Sequence, residues 1–143
     1  MPIWTEAIRR LQQLKTELTT IAGGEMVSFA LDNIRKESWQ GSRWQRRKPG
    51  SRRDSGRGLL VDTGAGRRSI DYTTSGTHAD VTANVYMQAH NEGVNKPVSV
   101  RNRRGGTHTR NMKLPQRQFI GQSKELDSRI SNTIARRIVK ALT

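Results

Sequence analysis

Three histidines, His78, His90 and His108, are the residues best suited by type to acid–base or metal chemistry. Asp80 follows His78 by two positions and Glu92 follows His90 by two, so the four could in principle join in a nuclease-like cluster. Nothing in the sequence fixes them together, and surface or capping roles account for them equally well. No pair of histidines has the helical spacing, with a carboxylate, of a zinc site, and the absence of cysteine removes thiolate ligands and disulfides. Gly64-Ala65-Gly66 suggests a phosphate loop, but the Gly-Lys-Ser/Thr ending of that motif is missing. Ser69 also stands where the dinucleotide fingerprint needs its third small residue, which leaves an ordinary turn. No serine, histidine and acid form a recognisable triad. The sequence therefore offers no catalytic residue, no metal site and no cofactor, and a non-enzymatic role is expected.

Charge is the dominant chemistry. The chain of 143 residues has 26 Lys and Arg against 12 Asp and Glu, a net charge of +14. The excess lies in two segments. Residues 43–58 contain Arg43, Arg46, Arg47, Lys48, Arg52, Arg53 and Arg57 against Asp54 alone. Residues 96–117 contain Lys96, Arg101, Arg103, Arg104, Arg110, Lys113 and Arg117 and no acid. The rest of the chain is close to neutral, so basicity belongs to two extensions and not to the fold. Clustered cations of this kind attract a phosphate backbone or an acidic protein surface. Apart from Lys96 and Arg117, these basic residues are the candidate contacts with the DNA channel or with a neighbouring subunit.

The elements that must position these segments read as one domain over 1–143. With 32% hydrophobic and 5% aromatic residues the core is modest, and such a chain gains stability from neighbouring subunits. No apolar run approaches the roughly 18 residues of a membrane span, and Met1 to Ala22 is amphipathic and unlike an export signal. Within 1–38 two helices are expected. The first carries Trp4, Ala7, Leu11, Leu14, Leu18 and Ile21 on one stripe, with Pro2 suited to its first turn and Gly23-Gly24 as its stop. The second, from Glu25 to about Glu37, turns Val27, Ala30, Leu31 and Ile34 inward. Trp39 and Trp44 either cap the helix ends or stack on bases or on Arg43 and Arg46. The basic run 43–58, with Pro49-Gly50, Gly56 and Gly58, is either a solvated loop or one ordered on contact with DNA or a neighbour.

Residues 59–93 form the expected centre. Ile70 and Tyr72 alternate with polar residues, as do Ala79, Val81, Ala83 and Val85, about a turn at Ser75-Gly76-Thr77. Period two over both arms predicts a half-buried antiparallel hairpin. Tyr86 to Gly93 suits a short helix or turn. The arm 96–117 suits a second, exposed hairpin with Gly105-Gly106 at its tip. Leu126, Ile130, Ile134, Ile138 and Leu142 predict an amphipathic helix over 123–142, with Arg136, Arg137 and Lys140 near its C-terminal end. The fold class is α+β: a small, mostly antiparallel sheet packed by terminal amphipathic helices, with two long basic extensions.

Taken in order, these features resemble a known family. Leu60-Val61-Asp62-Thr63-Gly64 followed by Arg67-Arg68-Ser69-Ile70 is similar to the leucine/valine-x-threonine-glycine…arginine-x-serine-isoleucine signature of the phage virion morphogenesis family. Tyr86, His90 and Gly93 fit its tyrosine…histidine…glycine segment. Pro115, Arg117, Phe119 and Gly121 fit its proline-x-arginine-x-phenylalanine-leucine-glycine motif, and Trp44 its tryptophan before a basic loop. One position departs: the family usually carries a bulky residue where Gly66 stands. The resemblance implies tail-completion proteins, related in fold to tail terminators, that assemble as a ring, with a hexamer expected. It implies a homo-oligomer at the neck or tail of the virion, built in the host bacterial cytoplasm, with tail-tube and connector proteins as partners. Phage DNA in the channel would be touched loosely, no membrane is involved, and the motif residues Thr63, Gly64, Arg67, Ser69, Ile70, Tyr86, His90, Gly93, Pro115, Arg117, Phe119 and Gly121 would be structural. A basic nucleic-acid-binding module, nucleoid- or ribosome-associated, is the alternative.

Overall fold

The computed structural model describes residues 3–50 and 56–143. Its first element, α1 (Ile3–Lys36), is one continuous helix of 34 residues, where the sequence predicts two helices separated by Gly23-Gly24. The reason comes from another part of the chain. Gly23 is buried under the ring of Tyr72, and a Cβ there would lie 2.6 Å from Cγ and 2.8 Å from Cε2 of that ring. Gly23 thus marks a close approach inside a helix, and its exposed neighbour Gly24 has open space around it. The helix ends at Glu37, which turns left-handed at φ 52°.

A short hairpin follows, β1 (Ser38–Trp39) with β2 (Ser42–Arg43). The next described element is a single helical turn, α2 (Ala65–Arg68). The central hairpin is β3 (Asp71–Ser75) with β4 (His78–Thr82), in register Tyr72 opposite Val81 and Thr73 opposite Asp80. Tyr72, Ala79 and Val81 are half-buried against α1, while Asp71, Thr73, Asp80 and Thr82 face outward, as the alternation predicts. The alternation ends earlier than expected. Val85 is 79% exposed and opens α3 (Val85–Glu92), because the Asn84 side chain accepts from Met87 N at 2.9 Å and caps a helix there.

The basic arm is β5 (Val94–Arg101) paired with β6 (Thr107–Leu114) around the predicted Gly105-Gly106 turn. The last element is α4 (Lys124–Leu142), capped by Ser123, whose hydroxyl accepts from Leu126 N at 3.4 Å. The class is α+β, and the strands among the described residues form three two-stranded antiparallel sheets.

The core gathers Ala30 and Ile34 of α1, Trp44, Leu59, Leu60, Ile70, Met87 of α3 and Phe119. Trp39 meets Phe29 edge-on at 5.9 Å between centroids, and Trp44 is buried with its indole N–H donating to Gln118 O at 2.9 Å. Both tryptophans therefore pack beyond the C-terminal end of α1, in agreement with the capping alternative.

α4 lies antiparallel on α1 and is joined to it by charge as much as by apolar contact. Arg129 reaches Asp32 at 3.0 Å, Glu25 at 3.5 Å and the Ser28 hydroxyl at 3.1 Å, with its guanidinium 5.6 Å from the centre of the Phe29 ring. Thr133 adds a hydrogen bond to Glu25 at 2.9 Å. Toward the free end of this helix pair the apolar stripe is not covered: Trp4 is 74% exposed and Val139 61%.

Candidate functional site

The residues of the three motifs converge on one region. A cleft of about 500 Å³ lies between the turn Leu60–Gly66, the first turns of α3 and the base of β6. Thr63, Gly64, Tyr86, His90 and Arg117 line it, and Arg47 of the basic loop joins them. Apolar wall comes from Leu60, Val61 and Leu114.

Local chemistry explains how each side is built. Leu60 is buried, yet its backbone is left-handed at φ 59°, a conformation costing a leucine roughly 1–2 kcal/mol. It is held between two hydrogen bonds, Leu59 N to Glu37 Oε1 at 2.6 Å and Val61 N to Gly58 O at 3.2 Å. Thr63 Oγ1 accepts from Ala65 N at 3.3 Å, and Gly64, with φ 80°, starts α2. Ser69 donates to Gly66 O at 2.6 Å and accepts from Asn84 N at 3.2 Å, tying α2 to the entrance of α3. A Cβ on Gly66 would come within 2.6 Å of Met87 Sδ. The departure from the expected bulky residue is thus matched by a methionine that fills the space from α3.

His90 and Arg117 form the floor. His90 is 4% exposed, stands edge-on to the Tyr86 ring at 4.6 Å, and its Nδ1 has no hydrogen-bond partner among the described residues. Burial, followed by the charges of Arg117 and Arg47, pushes its pKa below the ordinary histidine value, so the imidazole is neutral at pH 7. Arg117 is 7% exposed and donates from Nε and Nη2 to Gln45 O at 3.3 and 3.1 Å. Its own pKa is lowered by burial and then by Arg47.

Pro115–Gly121 behaves as a strap. Arg117 N donates to His90 O at 2.8 Å, and the Asn91 carboxamide accepts from Phe119 N and Ile120 N at 2.9 and 3.1 Å. Asn33 donates to Phe119 O at 3.1 Å from α1. Phe119 and Ile70 belong to the core, Gly93 packs on Gln116, and Gly121 on Gln118 and Trp39. Arg67 lies outside the cleft, with a buried Nε that has no partner among the described residues. Asn33, Asn91 and the Gln45 carbonyl escape the sequence reading. A buried asparagine on an apolar helix face, as at Asn33, is the one signal that could have marked them.

The basic residues do not converge in the same way. Arg43, Arg46 and Lys48 are exposed, Arg47 is half-buried and donates to Gly58 O at 3.3 Å, and Arg57 pairs with Asp62 at 2.9 Å. Arg52 and Arg53 lie outside the described residues. Along the arm, Lys96, Arg101, Arg103, Arg104, Arg110 and Lys113 are all exposed and spread over its length. His78 lies 3.7 Å from Asp80 on the exposed face of the central hairpin while His90 is buried in the cleft, so the nuclease-like cluster does not form among the described residues. Among the described residues no group of three or more His, Asp or Glu is placed to hold a metal ion, and no helix is long and apolar enough to cross a membrane.

No curated protein and no solved structure matches the chain. The family model of the phage virion morphogenesis family matches residues 3–139, which takes in α1, the cleft, the arm and most of α4. A family of this kind points to a structural or assembly part in the virion and away from catalysis. With its three motifs in order and meeting around one cleft, the chain belongs to the phage virion morphogenesis family.

Proposed function

We propose that the protein forms a ring at the head–tail junction of a tailed phage, completing the tail and joining it to the head around the DNA channel. Six copies are expected. The observation that carries this reading is the arm β5–β6. Among the described residues its strands of eight residues pair with each other alone, all its charged residues are basic, and it makes no extensive contact with any other described element. A two-stranded hairpin is marginal in water without further packing. A protomer in a ring supplies that packing from its neighbour. The arm then lies on an adjacent subunit or on a tail-tube or connector protein. The loop around Arg43–Gly58 is the second segment available to a partner or to the channel. Contacts with DNA would be loose and screened, since many close phosphate contacts would hinder its passage.

Labelled protein located in negatively stained virions tests the placement: signal at the neck is expected. Signal elsewhere, or normal joined particles formed without the protein, would reject it. Replacing Arg101, Arg103 and Arg104 by Ser should impair assembly and leave the circular dichroism of the protomer unchanged. The net charge of +14 keeps a nucleic-acid-binding module as a second reading. That reading requires affinity for DNA or RNA to fall steeply with salt in fluorescence anisotropy.

A further inference from the structure

Arg117 is a buried cation with no ion-pair partner among the described residues. It is 7% exposed, and among the described residues its side-chain hydrogen bonds go to one neutral oxygen, Gln45 O. Among the described residues no carboxylate lies within ion-pair distance of it. Asp62 shares the cleft but is engaged by Arg57 at 2.9 Å, and Glu37, whose charge acts on Arg117 from beyond ion-pair distance, has its Oε1 on Leu59 N. A second guanidinium, that of Arg47, lines the same cleft. Taking a charge out of water is costly unless an opposite charge meets it.

Two further observations point the same way. His90 is 96% buried, lines the cleft, and carries a ring nitrogen without a partner among the described residues. Leu60, in the cleft wall, holds a left-handed backbone, the kind of local strain that binding sites retain. The walls formed by Leu60, Val61 and Leu114 are apolar, so the cleft combines a cationic floor with hydrophobic sides.

We propose that this cleft binds an acidic peptide segment of a partner protein, with a carboxylate seated on Arg117 and an adjacent apolar side chain against the Leu60 and Leu114 walls. A duplex presents its phosphates along a rigid ridge flanked by sugars and has nothing to place against apolar walls. A peptide can offer both groups within one turn of chain. Charge complementarity between Arg117 in the cleft floor and a single carboxylate sets the specificity, and the imidazole of His90 adds a polar group beside it. The inference needs only the folded protomer and is independent of any ring.

The test uses the full chain, labelled with nitrogen-15, and four probes. These are a capped tetrapeptide with leucine beside aspartate, the same peptide with asparagine, inorganic phosphate, and a short single-stranded oligodeoxynucleotide. The aspartate peptide should shift the Arg117 Nε–H signal and the amides of Gly64, Tyr86 and His90. The asparagine peptide should bind at least about tenfold more weakly, as a lost charge-assisted hydrogen bond implies. Ala65→Glu places a competing carboxylate at the exposed rim and should abolish the shifts while the remaining spectrum stays in place. It complements Arg117→Gln, which also disturbs the Gln45 contact. Equal binding of the two peptides, no shift from the aspartate peptide at about 10 mM, or shifts at these signals from phosphate or the oligonucleotide alone would overturn the proposal.

Discussion

Gly23→Ala and Gly24→Ala, two changes one residue apart, should move stability in different directions. In a helix interior, replacing glycine by alanine gains about 1 kcal/mol through backbone entropy. Gly24 is exposed and a Cβ there meets nothing within 4 Å, so its substitution should show that gain alone. At Gly23 the new methyl would fall on the Tyr72 ring, at 2.6 Å from Cγ and 2.8 Å from Cε2. Tyr72 is pinned in β3 opposite Val81, so relief requires β3–β4 to lift away from α1, an overpacking cost of about 1–3 kcal/mol. The two variants should therefore differ by about 1–3 kcal/mol, with Gly24→Ala above the parent and Gly23→Ala at or below it. At this chain length that is a separation on the order of 4 °C per kcal/mol in thermal midpoint. Reversible denaturation followed by circular dichroism reads it directly. In a Tyr72→Ala background, Gly23→Ala should become stabilising, and the cycle isolates the ring contact. Two outcomes refute the reasoning. Equal gains at both positions would mean that the ring does not cover Gly23. Losses at both would mean that the pair ends a helix, because a left-handed terminal glycine tolerates no alanine.

Three other perturbations bear on the site and its supports. Asn91→Ala leaves Phe119 N and Ile120 N without their acceptor and should cost about 2–4 kcal/mol in urea denaturation. Arg129→Met removes the partner of Glu25 and Asp32 between α4 and α1; the groups are about a quarter exposed, so screening holds the loss to about 1–2 kcal/mol, and high salt should shrink it. His90 has a folded pKa below its ordinary 6.5, so the unfolded chain takes up this proton first as pH falls. The stability linked to His90 is complete above about 6.5 and declines as pH drops from there toward the folded pKa; His90→Gln should flatten that part of the pH profile.

Local periodicity carried much of the fold. The alternation of Tyr72, Ala79 and Val81, the spacing of Leu126 and Ile130, and the Gly105-Gly106 tip each report on neighbours a few residues away, and each element stands where that pattern places it. The failures have two sources, a long-range contact and a local cap. Gly23-Gly24 looks like punctuation until Tyr72, some fifty residues later, is known to need the space. Val85 continues an alternation in sequence, but Asn84 ends it by capping α3. The cleft was legible only in part. Its motif residues are recognisable one by one, yet nothing in their spacing announces that Arg47, Thr63, His90 and Arg117 line one cleft. The asparagines that secure the strap act on backbone groups, which have no sequence signature.

The length of α1 has a mechanical consequence. At 1.5 Å per residue its 34 residues make a rod of about 50 Å, whereas the 19 residues of α4 run to about 28 Å. The rod therefore extends past the support of α4, and its outermost turns carry Trp4 and Ile8 well clear of the core. Adding or removing two turns there would change how far those side chains project by about 10 Å without altering one contact of the cleft or the hairpins. Span and packing are separate variables in this protein: the distance over which it can touch something is set by a helix that the core holds at one end only.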